Sequence, residues 1–121
     1  MNTITQILIA IVALEHLYIL YIEMFAWETK GKKFFKSLPE EIFPKTKTMA
    51  ANQGLYNGFL AAGLLWSLVI SDIVWQFNVA LFFLFCVIIA AIYGTISTAS
   101  PKILLAQGTP AILALIFLCF F

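Results

Sequence analysis

Four long apolar runs, separated by polar stretches of unequal length, dominate the chain. They cover residues 3–25, 49–71, 77–97 and 103–121. A helix needs about 20 predominantly apolar residues to cross the hydrocarbon core of a bilayer. Because a lone strand or loop could not satisfy its backbone hydrogen bonds there, helices are the expected elements. The pattern predicts an all-α integral membrane protein, a four-helix bundle that forms a single domain over residues 1–121.

The composition supports a multi-pass protein of the cell membrane, with the lipid bilayer as its surroundings. Hydrophobic residues make up 63% of the 121 residues and charged residues only 11%, whereas soluble domains carry about 25% charged residues. No basic residue precedes the first run, and no small-residue cleavage pattern follows it. We therefore expect that run to remain in the mature protein as a span and not to be a cleaved signal peptide.

The lysines predict the topology. Of the seven, all but Lys102 lie between the first and second runs, and Lys102 lies between the third and fourth. The positive-inside rule places both lysine-bearing connections in the cytoplasm, which gives an N-out/C-out protein with a basic cytoplasmic loop between helices 1 and 2. Since topology explains these charges, we expect no nucleic-acid partner.

The first connection also carries apolar side chains among its lysines, namely Phe34, Phe35, Leu38, Ile42 and Phe43. Such a mixture is typical of a short amphipathic segment at the membrane interface, with lysines near anionic headgroups. A solvated loop is the alternative.

Polar side chains within the runs concentrate in the cytoplasmic half of the predicted bilayer. With a rise of about 1.5 Å per residue, Glu15 and His16 lie near the midplane and Glu23 nearer the cytoplasm. The outer halves are almost entirely apolar. We expect a polar, cytoplasm-facing pocket for a small-molecule or lipid-like ligand, lined by Glu15, His16, Tyr18, Glu23, Gln53, Tyr56, Asn57 and Gln107. The alternative is that these side chains only join helices by hydrogen bonds.

The spacing of small residues predicts close helix packing. Gly54 and Gly58 form a small-xxx-small pattern, which permits backbones to approach within one chain or in a homo-oligomer. In the fourth run, Gly108 and Pro110 beside Gln107 predict a local kink.

Metal and redox chemistry find little support. His16 and Glu23 lie about 10 Å apart on a straight helix, and neither an H-x-x-x-H nor an E-x-x-H spacing occurs, so we expect no metal site. The sequence identifies no cofactor. Cys86 and Cys119 lie in apolar runs without ligand spacing, which indicates structural thiols.

Three stretches carry a family resemblance: "LEHLYILYIEMFAW", "NQGLYNGFLAAGL" and "AQGTPAILAL". They look like the small membrane protein family catalogued as domain of unknown function 1304. The resemblance covers essentially the whole chain. It implies a bacterial four-helix integral membrane protein whose activity is unassigned.

Three functions remain open. The first is small-molecule binding in the predicted pocket, with or without catalysis, since no nucleophile with a positioned base is visible. The second is proton-coupled export, because the size, four spans and Glu15 are similar to the small multidrug resistance transporters. The long first loop and the one-sided lysines depart from that family. The third is a structural or regulatory subunit of a membrane complex.

Overall fold

The computed structural model describes residues 1–121, which form helices and connecting turns without any strand. The all-helical prediction is confirmed. Four long helical segments are joined by shorter pieces. In chain order the elements are α1 (Thr3–Phe25), a π-helical turn (Trp27–Gly31), α2 (Lys32–Phe34), α3 (Ile42–Lys45), α4 (Lys47–Val69), α5 (Ile73–Thr98), α6 (Pro101–Ile103), a second π-helical turn (Leu104–Gly108) and α7 (Thr109–Phe120).

Three helical segments are long and apolar enough to cross a membrane: Thr3–Phe25, Ile73–Thr98 and Pro101–Phe120. The first coincides with its predicted span. Helix α4 has 23 residues, the same length as α1, but Asn52, Gln53 and Asn57 make its first half more polar. Its role as a fourth span therefore stays a prediction, as does the four-helix bundle.

Capping residues explain where α5 begins and ends. The Asp72 carboxylate accepts a hydrogen bond of 2.9 Å from the Trp75 backbone N–H, which satisfies one of the free donors at a helix N-terminus. At the other end Ala99 adopts a left-handed conformation with φ 52°. Helix α5 consequently starts four residues before the predicted run of 77–97. Its start is determined by the Asp72 cap and not by the beginning of the apolar run.

The chain divides into two compact units, residues 1–15 with 60–121 and residues 16–59. The single-domain interpretation stays a prediction. The first unit contains a core in which alanines lie among larger aliphatic side chains, and small residues let helices pack closely. Its fully buried members include Ile9, Val12, Ala13, Leu64, Ala80, Leu84, Val87, Ala111 and Ala114.

In the second unit, two glycines of α4 lie against the C-terminal half of α1. A Cβ added at Gly54 would lie 2.7 Å from Met24 Cγ and 3.2 Å from the Leu20 carbonyl oxygen. A Cβ added at Gly58 would meet only the end of the Leu20 side chain, at 2.6 Å. Both glycines thus contact α1 of the same chain, and an oligomer formed through them stays a prediction.

These contacts predict different effects for two matched substitutions. Alanine at either position gains about 1 kcal/mol of helix propensity over glycine. Gly54→Ala crowds Met24, Glu23 and the Leu20 carbonyl oxygen together and should lose about 1–3 kcal/mol to overpacking. Gly58→Ala requires only a rotation of the Leu20 side chain. We expect Gly54→Ala to have a lower thermal midpoint in detergent than Gly58→Ala. Equal midpoints, or a higher one for Gly54→Ala, would contradict this packing.

Candidate functional site

A buried carboxylate and an amide meet between α1 and α4. The Glu23 side chain is only 7% exposed, and Asn57 Nδ2 donates a hydrogen bond of 2.6 Å to Glu23 Oε1. The same amide also lies 3.3 Å from the Gln53 carbonyl oxygen. A buried carboxyl group needs hydrogen-bond partners of this kind, because an unpaired polar group is costly away from water. The Glu23–Asn57 pair is therefore the centre of the candidate site.

His16 lies on the same side of α1 as Glu23. It is 1% exposed, and seven residues bring the helix back to nearly the same face after two turns. The intervening rise of about 10 Å separates its ring from the Glu23–Asn57 pair. His16 is thus a buried polar group farther along the helix face and not a second ligand for an ion held by Glu23.

Three predicted pocket residues lie at the surface of the unit. Tyr18 is 49% exposed, and its ring contacts those of Tyr21 and Phe34. Tyr56 is 62% exposed and packs edge-on against Phe59. Gln53 is also exposed, and its backbone carbonyl, not its side chain, contacts Asn57. The structure does not bring these three side chains to the Glu23–Asn57 pair.

Two further predicted residues, Glu15 and Gln107, belong to the other unit. Glu15 is half-buried, and its Oε2 atom is buried without a hydrogen-bond partner. Gln107 is half-buried in the π-helical turn Leu104–Gly108. Such turns often occur at functional sites, where they interrupt the α-helical hydrogen-bond pattern. This turn lies where the sequence predicted a local irregularity.

Sequence reasoning missed a tertiary cluster around Trp27. The indole Nε1 donates a hydrogen bond of 3.0 Å to Thr46 Oγ1, and the ring packs against Phe43 and Phe35 at centroid distances of 4.9 and 5.4 Å. Phe43 is 1% exposed. A tryptophan at the end of an apolar run indicates interfacial anchoring, but nothing in the local pattern identifies a partner 19 residues later.

A groove of about 290 Å³ is lined by the residues that follow Glu23 in the chain, including Trp27. Its rim carries two charges, since Lys47 Nζ lies 3.5 Å from Glu28 Oε1. The groove thus combines an apolar wall with a charged edge. It is lined by Met24, Phe25, Ala26, Trp27, Glu28, Thr29 and Lys47.

A second cavity, of about 170 Å³, lies in the other unit between the start of α1, the start of α5 and the end of α7. None of the eight predicted pocket residues lines this cavity or the groove beside Trp27.

The structure brings no three His, Cys, Asp or Glu side chains close enough to hold a metal ion. Both cysteines are free thiols; Cys86 is half-buried and Cys119 exposed.

Comparison with known proteins identifies the family. Residues 10–119 match the family described as Protein of unknown function (DUF1304). The chain belongs to this family. It is 39% identical over 118 residues to the Uncharacterized protein YpaA of Lactococcus lactis subsp. lactis (strain IL1403), a match covering 96% of this chain and 97% of the relative. No solved structure matches the chain. The predicted resemblance to the DUF1304 family is confirmed.

The Glu23–Asn57 pair of this DUF1304 protein predicts a selective effect on stability. Asn57→Ala removes the donor to a buried carboxylate, which should cost about 1–3 kcal/mol. Asn52→Ala is the matched control, because Asn52 is exposed on the same helix. We expect a thermal midpoint several degrees lower for Asn57→Ala and nearly unchanged for Asn52→Ala. Identical midpoints for the two variants would exclude a stabilising Glu23–Asn57 contact.

Proposed function

We propose that this DUF1304 protein is a four-span membrane protein that binds a small molecule at the Glu23–Asn57 pair. In this account α4 is the fourth span, both lysine-bearing connections lie in the cytoplasm, and both ends of the chain lie outside. Support for α4 comes from its length, which equals that of α1, and from its close contact with α1 at Gly54. The site then lies near the cytoplasmic end of α1.

The observation that carries the proposal is the buried carboxylate of Glu23. A charged side chain within a span costs at least about 2.5–3.5 kcal/mol, and such residues usually mark substrate or ion sites. Helices that only need to adhere to each other use smaller groups, such as Ser or Thr hydroxyls, or close backbone contact. Helix α4 already has that close contact at Gly54, so adhesion alone does not account for Glu23.

The chemistry of the site indicates the class of ligand. A carboxylate attracts amines and hydroxyl donors. Because Asn57 Nδ2 already donates to Glu23 Oε1 and to the Gln53 carbonyl oxygen, the Asn57 amide offers a ligand its oxygen as an acceptor. The neighbouring groove, which Glu23 and Asn57 do not line, has an apolar wall and, at Glu28 and Lys47, a charged rim. These features suit a small amphiphilic, lipid-like molecule with a hydrogen-bonding head. His16 extends the polar face of α1, while the other predicted pocket residues, Glu15, Tyr18, Gln53, Tyr56 and Gln107, stay predictions.

Native mass spectrometry of the protein purified from its host membrane tests this function. We expect a small molecule to co-purify with the wild type and to be lost from Glu23→Gln, because the amide cannot replace the carboxyl group toward an amine or hydroxyl donor. Glu40→Gln is the matched control, since Glu40 is exposed in the connection between α2 and α3. A wild type without bound molecules, or retention of the molecule in Glu23→Gln, would refute the proposal.

Proton-coupled export is a second candidate, and the unpartnered Oε2 of Glu15 favours it. A carboxylate buried in the middle of a span is a suitable proton carrier, and intramembrane acids occupy this position in pumps and transporters. The test is efflux of a lipophilic cation from cells that express the protein. Efflux that is lost in Glu15→Gln but kept in the exposed variant Glu41→Gln would support export, and efflux unaffected by Glu15→Gln would oppose it.

A further inference from the structure

We propose that residues 27–47, here called the lysine platform, bind anionic phospholipid headgroups at the cytoplasmic membrane surface. This inference rests on the membrane placement in the proposed function but not on the ligand at the Glu23–Asn57 pair. Three observations support it: the segment is folded, its aromatic rings pack against α1, and several of its lysines form no ion pair.

The lysine platform is folded, since its two ends are joined to each other. Trp27 follows α1 and Thr46 precedes α4, and a hydrogen bond of 3.0 Å links their side chains. The Trp27 ring also packs on the buried ring of Phe43. Gly31 lies directly against the indole, where an added Cβ would be 3.0 Å from its Cε3 atom. These contacts hold the intervening lysines in a defined arrangement at the end of a span.

A series of aromatic rings extends from the platform back along α1. Phe34 packs against Phe35 at 5.1 Å and against Tyr18 at 6.5 Å, and Tyr18 contacts Tyr21 at 6.3 Å. Tyr18 lies seven residues before the end of α1, which corresponds to about 10 Å along the helix. Aromatic rings concentrate where hydrocarbon meets headgroups. The platform therefore reaches the depth of the interface and does not simply extend into the cytoplasm.

The platform carries an excess of positive charge, with six lysines against Glu28, Glu40 and Glu41. Lys47 pairs with Glu28 at 3.5 Å, and the Lys30 ammonium lies 5.1 Å from the centre of the Tyr21 ring. The other four make no ion pair with a carboxylate, and three of these are exposed. The exposed ones are Lys33, Lys36 and Lys45. Their charges are available to an anionic partner.

Charge complementarity and exposed apolar surface together indicate a lipid partner. Phe34 and Leu38 remain 49% and 38% exposed beside the lysines, an arrangement that suits the headgroup and acyl boundary. Basic clusters next to a span bind anionic lipids on the cytoplasmic leaflet. A soluble acidic protein could pair with the lysines, but it would not account for the exposed apolar side chains of Phe34 and Leu38 beside them.

Spin-labelled lipids provide the test. The full chain is reconstituted in phosphatidylcholine bilayers, and electron spin resonance measures the protein-bound fraction of labelled phosphatidylglycerol and of labelled phosphatidylcholine. We expect the wild type to prefer phosphatidylglycerol severalfold. The triple variant Lys33→Gln/Lys36→Gln/Lys45→Gln should approach equal binding of both lipids. Lys102→Gln, which changes an exposed lysine in the other unit, is the matched control and should keep the preference. High salt should weaken it by screening.

Two controls separate this inference from the proposed function. Alkaline extraction of the bilayers first establishes that the chain is inserted, so a wrong membrane placement is detected independently. Glu23→Gln should retain the lipid preference even if it loses the small molecule. The inference is overturned if inserted wild type shows no preference or the triple variant retains it. It is also overturned if Lys102→Gln loses the preference equally, or if soluble polyglutamate, and not phosphatidylglycerol, binds through the three lysines.

Discussion

The close approach of α4 to α1 at Gly54 is the constraint on which the candidate site depends. With no Cβ at this position, the α4 backbone lies against Leu20, Glu23 and Met24. One turn later along α4, Asn57 can then reach the Glu23 carboxylate at 2.6 Å. In lipid, helices associate through such packing and hydrogen bonding because no hydrophobic force draws them together. A larger residue at position 54 would separate both the helices and the pair.

The Trp27 cluster extends the same arrangement beyond the end of α1. Trp27 is joined to Thr46 and Phe43, and α4 begins immediately afterwards at Lys47. The connection thus fixes the position at which α4 starts, two turns before Gly54. The groove beside Trp27 and the rim charges of Glu28 and Lys47 are products of this folded connection. The buried pair and the surface groove therefore belong to one continuous part of the chain.

Apolar patterning predicted the helices well, because a membrane span needs only a long apolar run whose backbone hydrogen bonds are formed internally. Thr3–Phe25 is the predicted first span, and α4 spans residues close to those of the second run. The start of α5 was predicted four residues too late, because the Asp72 cap allows residues 73–76 to join the helix. A cap is a single local contact, and the average apolarity of a run gives no information about it.

The candidate site could be predicted only in part. Helical spacing placed Glu23 and Asn57 in the same half of the predicted bilayer, but it could not determine the rotation of α4 about its axis. That rotation decides that Asn57 contacts Glu23 while Tyr56 is exposed. The Trp27 cluster joins residues across an irregular connection that has no periodicity, so no sequence pattern could have identified it.

Solid-state nuclear magnetic resonance on the full chain in bilayers tests the central claim most directly. The sample carries ¹³C-labelled glutamate and ¹⁵N-labelled asparagine side chains, and the measured quantity is the dipolar coupling between the Glu23 carboxyl carbon and Asn57 Nδ2. The hydrogen bond of 2.6 Å predicts a strong coupling that disappears in Asn57→Ala and persists in Asn52→Ala. A wild-type chain without this coupling would show that the two side chains do not meet, and would contradict the account.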